Sequence, residues 1–532
     1  MTAKIKNAIM LVLCLGLLVT AGCRTESGDQ TNPLETKPKI ASNPSTKPII
    51  LILIDSLMDK PLQKASQEGR APALQYLLKN GKYHPKVVSS FPTMSVTIDS
   101  SLLTGTYADQ HQVPGLVWYS GKENRMIYYG NGAKESFKID QMQVFMDAVY
   151  QLNQVQLNKE TKTIHEELAE KGKDSASVNG IVFRGKTKHT LNVPRWIAHG
   201  TRLPEHVNVT GPKWLSYAAL AQQDPKNDRN ARVWKKFGMN NEFSAQELAF
   251  LIKQNKLPNV TIAYFPENDH TLHTKGPSEL EGIQKADQAL QEVLNAYGSW
   301  EEALKKAVWI VMGDSAQSYV YDDRERSIVD LRPLLNRYRI AQISKSIGTE
   351  DQIVISANER MAYVYALDSK IKLSDMVKLL QQEEKLDIIA IKDETNINIT
   401  KGKSDNIFSY CPGGTYVDEY GQSWTLSGDP EIADITITGH RIKYGKYPDI
   451  LARLYGAMHS HEGRYAVVTA EPGHEIIGES SPTHVGGGAH GSLHELDSLV
   501  PLIVTGTKAS PETLRIVDIK DWIIKLANGG LR

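Results

Sequence analysis

The sequence predicts an α/β fold: a mostly parallel sheet sandwiched by helices, with inserted segments above it. Three observations carry this expectation. Ile49-Ile50-Leu51-Ile52-Leu53-Ile54 is a continuous apolar run ending in Asp55-Ser56, as a strand buried on both faces requires. Similar runs recur at 86–91, 176–183, 260–265, 307–312, 465–470 and 500–505. Helical patterns, as at 60–80 and 277–297, lie between several of them, and such alternation argues for a sheet covered on both faces.

The first residues stand outside this pattern. Lys4 and Lys6 precede a short apolar run at 9–19, and Thr20-Ala21-Gly22 supplies small residues before Cys23. The run is too short to cross a bilayer as a permanent helix, so 1–22 reads as a secretory signal. The small residues directly before Cys23 resemble a bacterial lipobox. That resemblance implies that Cys23 becomes a lipidated first residue, held at the extracytoplasmic face of the cell membrane. Several acyl chains would anchor it stably, at about 0.8 kcal/mol per buried methylene. Residues 24–47 are rich in Thr, Ser, Pro, Asn and Lys, so the lipidated 23–47 segment reads as a disordered tether.

The folded part is expected over 48–532, with insertions around 118–258 and 327–448. There turns, aromatics and charges mix and clean buried strands are fewer. Parts of both are expected to lie above the sheet and shape access to a site. Lys+Arg and Asp+Glu each total 61, so no basic face is implied and nucleic-acid binding is not expected. Cys14 lies in the signal and Cys23 would carry lipid, which leaves Cys411 without an intrachain disulfide partner in the mature body. Tyr410-Cys411-Pro412-Gly413-Gly414 reads as a turn with Cys411 as a structural residue.

In open α/β sheets, sites form beyond the carboxyl ends of the strands. Asp55 follows the first apolar run, Ser95 the second, Asp269 with His273 a later one, and Asp314 the next; His490 precedes the final run. Carboxylates gathered in this way repel unless cations neutralise them, and Asp, His and Ser together suit divalent Zn²⁺ or Mn²⁺. In outline this is a two-metal site. Taken singly, each residue has an ordinary structural reading. Asp55 and Asp314 could be polar strand caps, Ser95 a helix N-cap with Thr93 competing as nucleophile, and Asp269 with His273 a solvated helix pair. His270 reads as a surface residue, His459 and His461 as a solvated helix end, and His484 and His494 as supports around His490. Gly486-Gly487-Gly488 reads as a mobile loop.

The segment Phe91-Pro92-Thr93-Met94-Ser95-Val96-Thr97-Ile98-Asp99, continuing ungapped through Gly105 and Tyr107 to His111, resembles the nucleophile segment of the nucleotide pyrophosphatase/phosphodiesterase family, within the alkaline phosphatase superfamily. The resemblance places Ser95 where the family has its nucleophilic threonine. Residues 264–277 are similar to the family's stretch with an Asp and a His four residues apart, here Asp269 and His273, and His490-Gly491 resembles its late His-Gly. These three side chains are thereby implied as ligands of one cation. Asp55, Asp314 and Ser95 are implied as ligands of a second. These landmarks keep the family order from Asp55 to His490.

Two positions depart from the family. Ser315 replaces the histidine that normally follows the Asp matched by Asp314, and Ile98 stands where the family has an Asn three residues after the nucleophile. The resemblance implies a metal-dependent phosphoric ester hydrolase of the phosphodiesterase type, using two divalent cations, Zn or else Mn. Its substrate would be a small phosphate ester, an envelope polymer or a lipid head group. A phosphomonoesterase, phosphotransferase or sulfatase of the same superfamily would use nearly the same residues. A non-catalytic ligand-binding lipoprotein with an incomplete metal site would be supported by Ser315 and Ile98.

Overall fold

The structure is a computed structural model and describes residues 47–130, 141–200, 202–342, 346–479 and 481–530. The expected signal, Cys23 and nearly all of the tether lie outside the described residues. Among the described residues, no helix is long and apolar enough to cross a membrane.

A seven-stranded sheet runs in the order Gly81–Val88, Leu499–Thr505, Val308–Met312, Ile49–Ile54, Val260–Phe265, Ser175–Val178, Trp214–Ser216. Leu499–Thr505 is antiparallel to both neighbours, and the other pairings are parallel. The central run Ile49–Ile54 shows why its residues are apolar throughout. Ile49, Leu51 and Leu53 enter one core, and Ile50, Ile52 and Ile54 enter another on the opposite face. Each fully buried side chain of this kind contributes about 1.5–3 kcal/mol. One face is covered by helices Ser95–Thr104, Ile164–Glu170 and Ile516–Ala527, and the other by Asn241–Lys253 and Glu281–Asn295 with shorter helices beside them.

The helix expected over 60–80 is two helices, Asp59–Gln67 and Pro72–Lys79. Gly69 takes a left-handed φ of 70° between them, and Pro72 begins the second. Pro fits there because the first helical N–H has no helical partner. The buried N–H groups of Ala73 and Leu74, which have no partner within the helix, donate instead to the buried Asp287 carboxylate.

The run at 465–470 belongs elsewhere. Tyr465–Ala470 lies in a second, nine-stranded sheet built mainly from 353–444. A buried run alone does not say which sheet will hold it, since both bury both faces. The segment 118–258 is likewise more than an insertion, because it supplies the main-sheet strands Ser175–Val178 and Trp214–Ser216. Cys411 lies within the strand Phe408–Val417 rather than in a turn. The second sheet is tied to the core by polar groups at one hairpin. Asn358 accepts from the N–H groups of Leu116 and Val117 at 2.8 and 2.9 Å, and fully buried Arg360 pairs with Asp497.

Candidate active site

The carboxyl ends of the main-sheet strands open into a cavity of about 680 Å³. Asp55, Ser95, Asp269, His273 and His490 all line it, so five of the six residues singled out from the sequence meet in one place. Asp314, the sixth, is fully buried beside them, its Oδ1 accepting from the N–H groups of Ser56 and Ser315 at 2.9 and 2.7 Å. Ser95 is the first residue of its helix, and Val96 shares the cavity wall. Thr93 has no exposure, and its hydroxyl accepts from the Gly491 N–H at 2.6 Å. Ile98 is packed into the core rather than into the cavity.

Asp269, His273 and His490 form a tight group. Their ligand atoms all lie within 4.8 Å of one another. His273 Nε2 is 3.2 Å from Asp269 Oδ1, and His490 Nε2 is 3.5 Å from the same oxygen. Each ring is held from behind: Nδ1 of His273 donates to the Gly488 carbonyl at 2.8 Å, and Nδ1 of His490 donates to that of Thr93. A carbonyl can only accept, so both rings present an unprotonated Nε2 to the site when neutral, the form a metal takes. The glycines at 486–488 therefore support His273. A Cβ at Gly487 would fall 1.9 Å from the His273 carbonyl, which requires glycine at this close approach.

The charges in this group are strongly biased. Burial opposes the imidazolium form of His273, but Asp269 and Glu359 outweigh it and raise its pKa to about 10. The same opposition, with Glu359 and Asp269 prevailing, raises His490 to about 9. Burial resists ionisation of Asp269, yet the two imidazoles hold it well below the usual carboxylate range. Protons on the imidazoles and a cation between them answer the same negative charge.

The Asp55 and Asp314 pair is built differently. Burial first, then repulsion from Asp314 and Asp269, pushes Asp55 well above its ordinary value. Burial likewise raises Asp314. The Tyr264 hydroxyl donates to Asp55 Oδ2. Asp55 Oδ1 and Asp314 Oδ2 are buried without a hydrogen-bond partner among the described residues. A buried charged oxygen left in this way costs several kcal/mol unless it is neutralised. The donors thus fit divalent cations at both places, by the nitrogen–carboxylate geometry at one and the orphaned carboxylate oxygens at the other. Ser315 has no side-chain nitrogen to offer either pair and reaches Asp314 only through its backbone N–H. Its hydroxyl lies 3.0 Å from that of Ser56, which donates to Asp269 Oδ1 at 2.9 Å, and Gln317 Nε2 donates to the same oxygen at 2.6 Å.

Several site residues are not foreseen from the sequence. Glu359, Ser56, Tyr264 and Gln317 all contact the singled-out side chains, and each of the last three follows or ends an apolar run. His484 stacks on His273, with ring centroids 4.2 Å apart, and is held by Glu475. His270 is exposed on the cavity rim, as expected of a surface residue. His461 is not on a solvated helix end. It stacks on Tyr465 and bonds to the Tyr365 hydroxyl, and burial lowers its pKa to about 3.

Residues 49–396 match the family model of type I phosphodiesterase/nucleotide pyrophosphatase, which is more than half of the chain. No curated protein matches the sequence significantly. Among solved structures, murine ectonucleotide pyrophosphatase/phosphodiesterase 5, an inactive variant in complex with AMP, is similar at a TM-score of 0.53. The identity is 14%, over 92% of this chain and 96% of that one. Phosphonoacetate hydrolase from Sinorhizobium meliloti 1021, in complex with phosphonoformate, is similar at a TM-score of 0.55. The identity is 13%, over 91% of this chain and 96% of that one. At such identities the likeness is one of fold: a large central sheet flanked by helices, as in the alkaline phosphatase superfamily. The sequence match settles the closer kinship, and the chain belongs to the type I phosphodiesterase/nucleotide pyrophosphatase family, as a phosphoester hydrolase.

Proposed function

We propose that the protein hydrolyses phosphoric esters, with Ser95 as the nucleophile, at a site that takes two divalent cations. The observation that supports this reading is the shared cavity, which Ser95, at a helix start, lines together with Asp269, His273 and His490. Asp269, His273 and His490 would hold one cation, and Asp55, Asp314 and Ser95 the other. Bound there, such ions supply Lewis acidity to the nucleophile and to the leaving oxygen.

The chain's own groups do the rest. Ser95 Oγ forms the new bond to phosphorus as the bond to the leaving oxygen breaks, giving a phosphoserine that water then hydrolyses. The start of the Ser95–Thr104 helix offers backbone N–H groups and a positive dipole end to the phosphoryl oxygens. Thr93 and Gly488 hold the two imidazoles in position. Leu116, Leu152, Ile181 and Met239 form an apolar wall, which suits an ester with an organic substituent. A small phosphate ester, an envelope polymer or a lipid head group would all suit an enzyme anchored through Cys23 at the extracytoplasmic membrane face. AMP and phosphonoformate, bound by the two similar structures, are phosphorus oxyanions of the same chemical type.

The test is hydrolysis of p-nitrophenyl phosphate and of the p-nitrophenyl ester of thymidine monophosphate, after dialysis into Zn²⁺ or Mn²⁺. Ser95→Ala should lower turnover by at least about a thousandfold while leaving the melting temperature unchanged. Turnover retained in Ser95→Ala would remove Ser95 from the mechanism. Activity should sediment with membranes from wild-type cells and not from Cys23→Ser cells; the same distribution in both would remove the anchor.

A further inference from the structure

The second sheet sends one side chain into the cation site. Strands Ile353–Asn358 and Met361–Ala366 form an antiparallel hairpin in which Asn358 faces Met361, so Glu359 and Arg360 make its tip. Arg360 bridges its own sheet and the core, and Glu359 lines the cavity. Arg360 is buried against Asp497, Ser318 and the carbonyls of Ala470 and His474, which pins the tip to the core. Glu359 takes a left-handed φ of 56°, a conformation that costs a non-glycine residue about 1 kcal/mol or more.

That conformation brings the Glu359 carboxylate between the two imidazoles. Its side chain is only 7% exposed. Oε1 lies 3.7 Å from His273 Nε2, and Oε2 lies 3.9 Å from His490 Nε2. Oε2 also accepts from the His490 N–H at 3.0 Å, which fixes the carboxylate's orientation. These spacings are too long for good hydrogen bonds to the imidazoles. They put Glu359 on the same two Nε2 atoms that Asp269 approaches, at a longer distance. Glu359 also groups with His273 and His484, whose ligand atoms again lie within 4.8 Å of one another.

We propose that Glu359 is a fourth protein ligand to the cation held by Asp269, His273 and His490, so that the second sheet supplies part of the metal centre. This rests on the two-cation reading above and adds to it. Two imidazoles and two carboxylates would balance the charge of one divalent ion, and loading would tie the second sheet to the first.

The test measures cation binding, not turnover. Glu359→Gln is the informative variant, because its amide oxygen can still accept from the His490 N–H while losing the charge. Zn²⁺ affinity is measured by competition with a chromophoric chelator, and the Co²⁺ forms are compared by visible absorption. Glu359→Gln should bind the more tightly held ion at least tenfold more weakly and change the intensity of its Co²⁺ bands. In EDTA it should still unfold cooperatively, at a melting temperature lowered by the lost attraction between Glu359 and the two imidazolium rings. Unchanged affinity and an unchanged Co²⁺ spectrum in a variant that folds normally overturn the proposal alone. Failure of the wild type to take up any ion overturns both the proposal and the two-cation reading. If Glu359→Gln fails to fold, the Co²⁺ form of the wild type decides by X-ray absorption: two imidazole nitrogens with two carboxylates support the proposal, and a single carboxylate overturns it.

Discussion

The two candidate cation positions lie at the same cavity, with Asp314 buried behind its lining, and are chemically unlike. At Asp269, His273 and His490, two nitrogens and a carboxylate already lie close together, each ring braced by a backbone carbonyl. At Asp55 and Asp314 there are only buried carboxylates, each with an orphaned oxygen, and beside them Ser315, whose side chain carries no nitrogen. Imidazole lowers the cost of assembling a site, because without the ion it can carry a proton that balances the nearby carboxylates, and the ion displaces that proton. Carboxylates must be held together against their own repulsion. The first position should therefore bind firmly and the second weakly, with oxygen-preferring ions favoured at the second.

The sharpest way to break this contrast is Asp269→Asn. It should abolish binding at the tighter position and lower ester hydrolysis by roughly a thousandfold or more, whereas Asp314→Asn should spare the tighter ion. Metal analysis after dialysis reads both variants, and equal losses would mean that the two positions do not act separately. A smaller effect is expected from Ser315→His. Restoring a nitrogen donor beside Asp314 should tighten the second Zn²⁺ by about tenfold, read as a second transition in the same titration. No change would show that the Ser56, Ser315 and Gln317 hydrogen bonds leave no room for a ligand.

The smallest expected effect concerns pH. In EDTA, His273 and His490 are held near 10 and 9, above the unfolded value of about 6.5. Their contribution to stability is therefore complete below about pH 6.5 and is lost as pH rises through 9 to 10. Asp55 and Asp314, also raised, lose theirs from lower pH upward in the same direction. The cation-free protein should lose stability as pH rises from 7 to 10, and saturating Zn²⁺ should remove most of that slope. Thermal melts with and without the ion measure it; parallel curves would contradict the assigned charges.

Most of the site was legible because strand ends in a parallel sheet converge. An acidic or hydroxyl residue just after a buried run needs no long-range information to be placed, and Asp55, Ser95, Asp269 and Asp314 are all of this kind. Ser56 and Gln317 sit within three residues of those positions and carry the same signal more weakly. Glu359 is another case. It lies in 327–448, which read only as an inserted segment, and nothing local says that a hairpin tip there will land in the site. The same limit applies to His461, whose aromatic surroundings come from strands far away in the chain.

The sequence by itself determined the α/β core, the order of its helices and strands, and the six side chains that gather at its edge. Periodicity and strand-end chemistry are local, and they survive in a single chain read without neighbours. Only the tertiary structure decided that 465–470 joins a second sheet, that Trp214–Ser216 adds an edge strand to the first, and that Glu359 faces His273 and His490. Those outcomes depend on which buried surfaces meet, and contacts between residues roughly a hundred positions apart leave no mark in the local pattern of either partner.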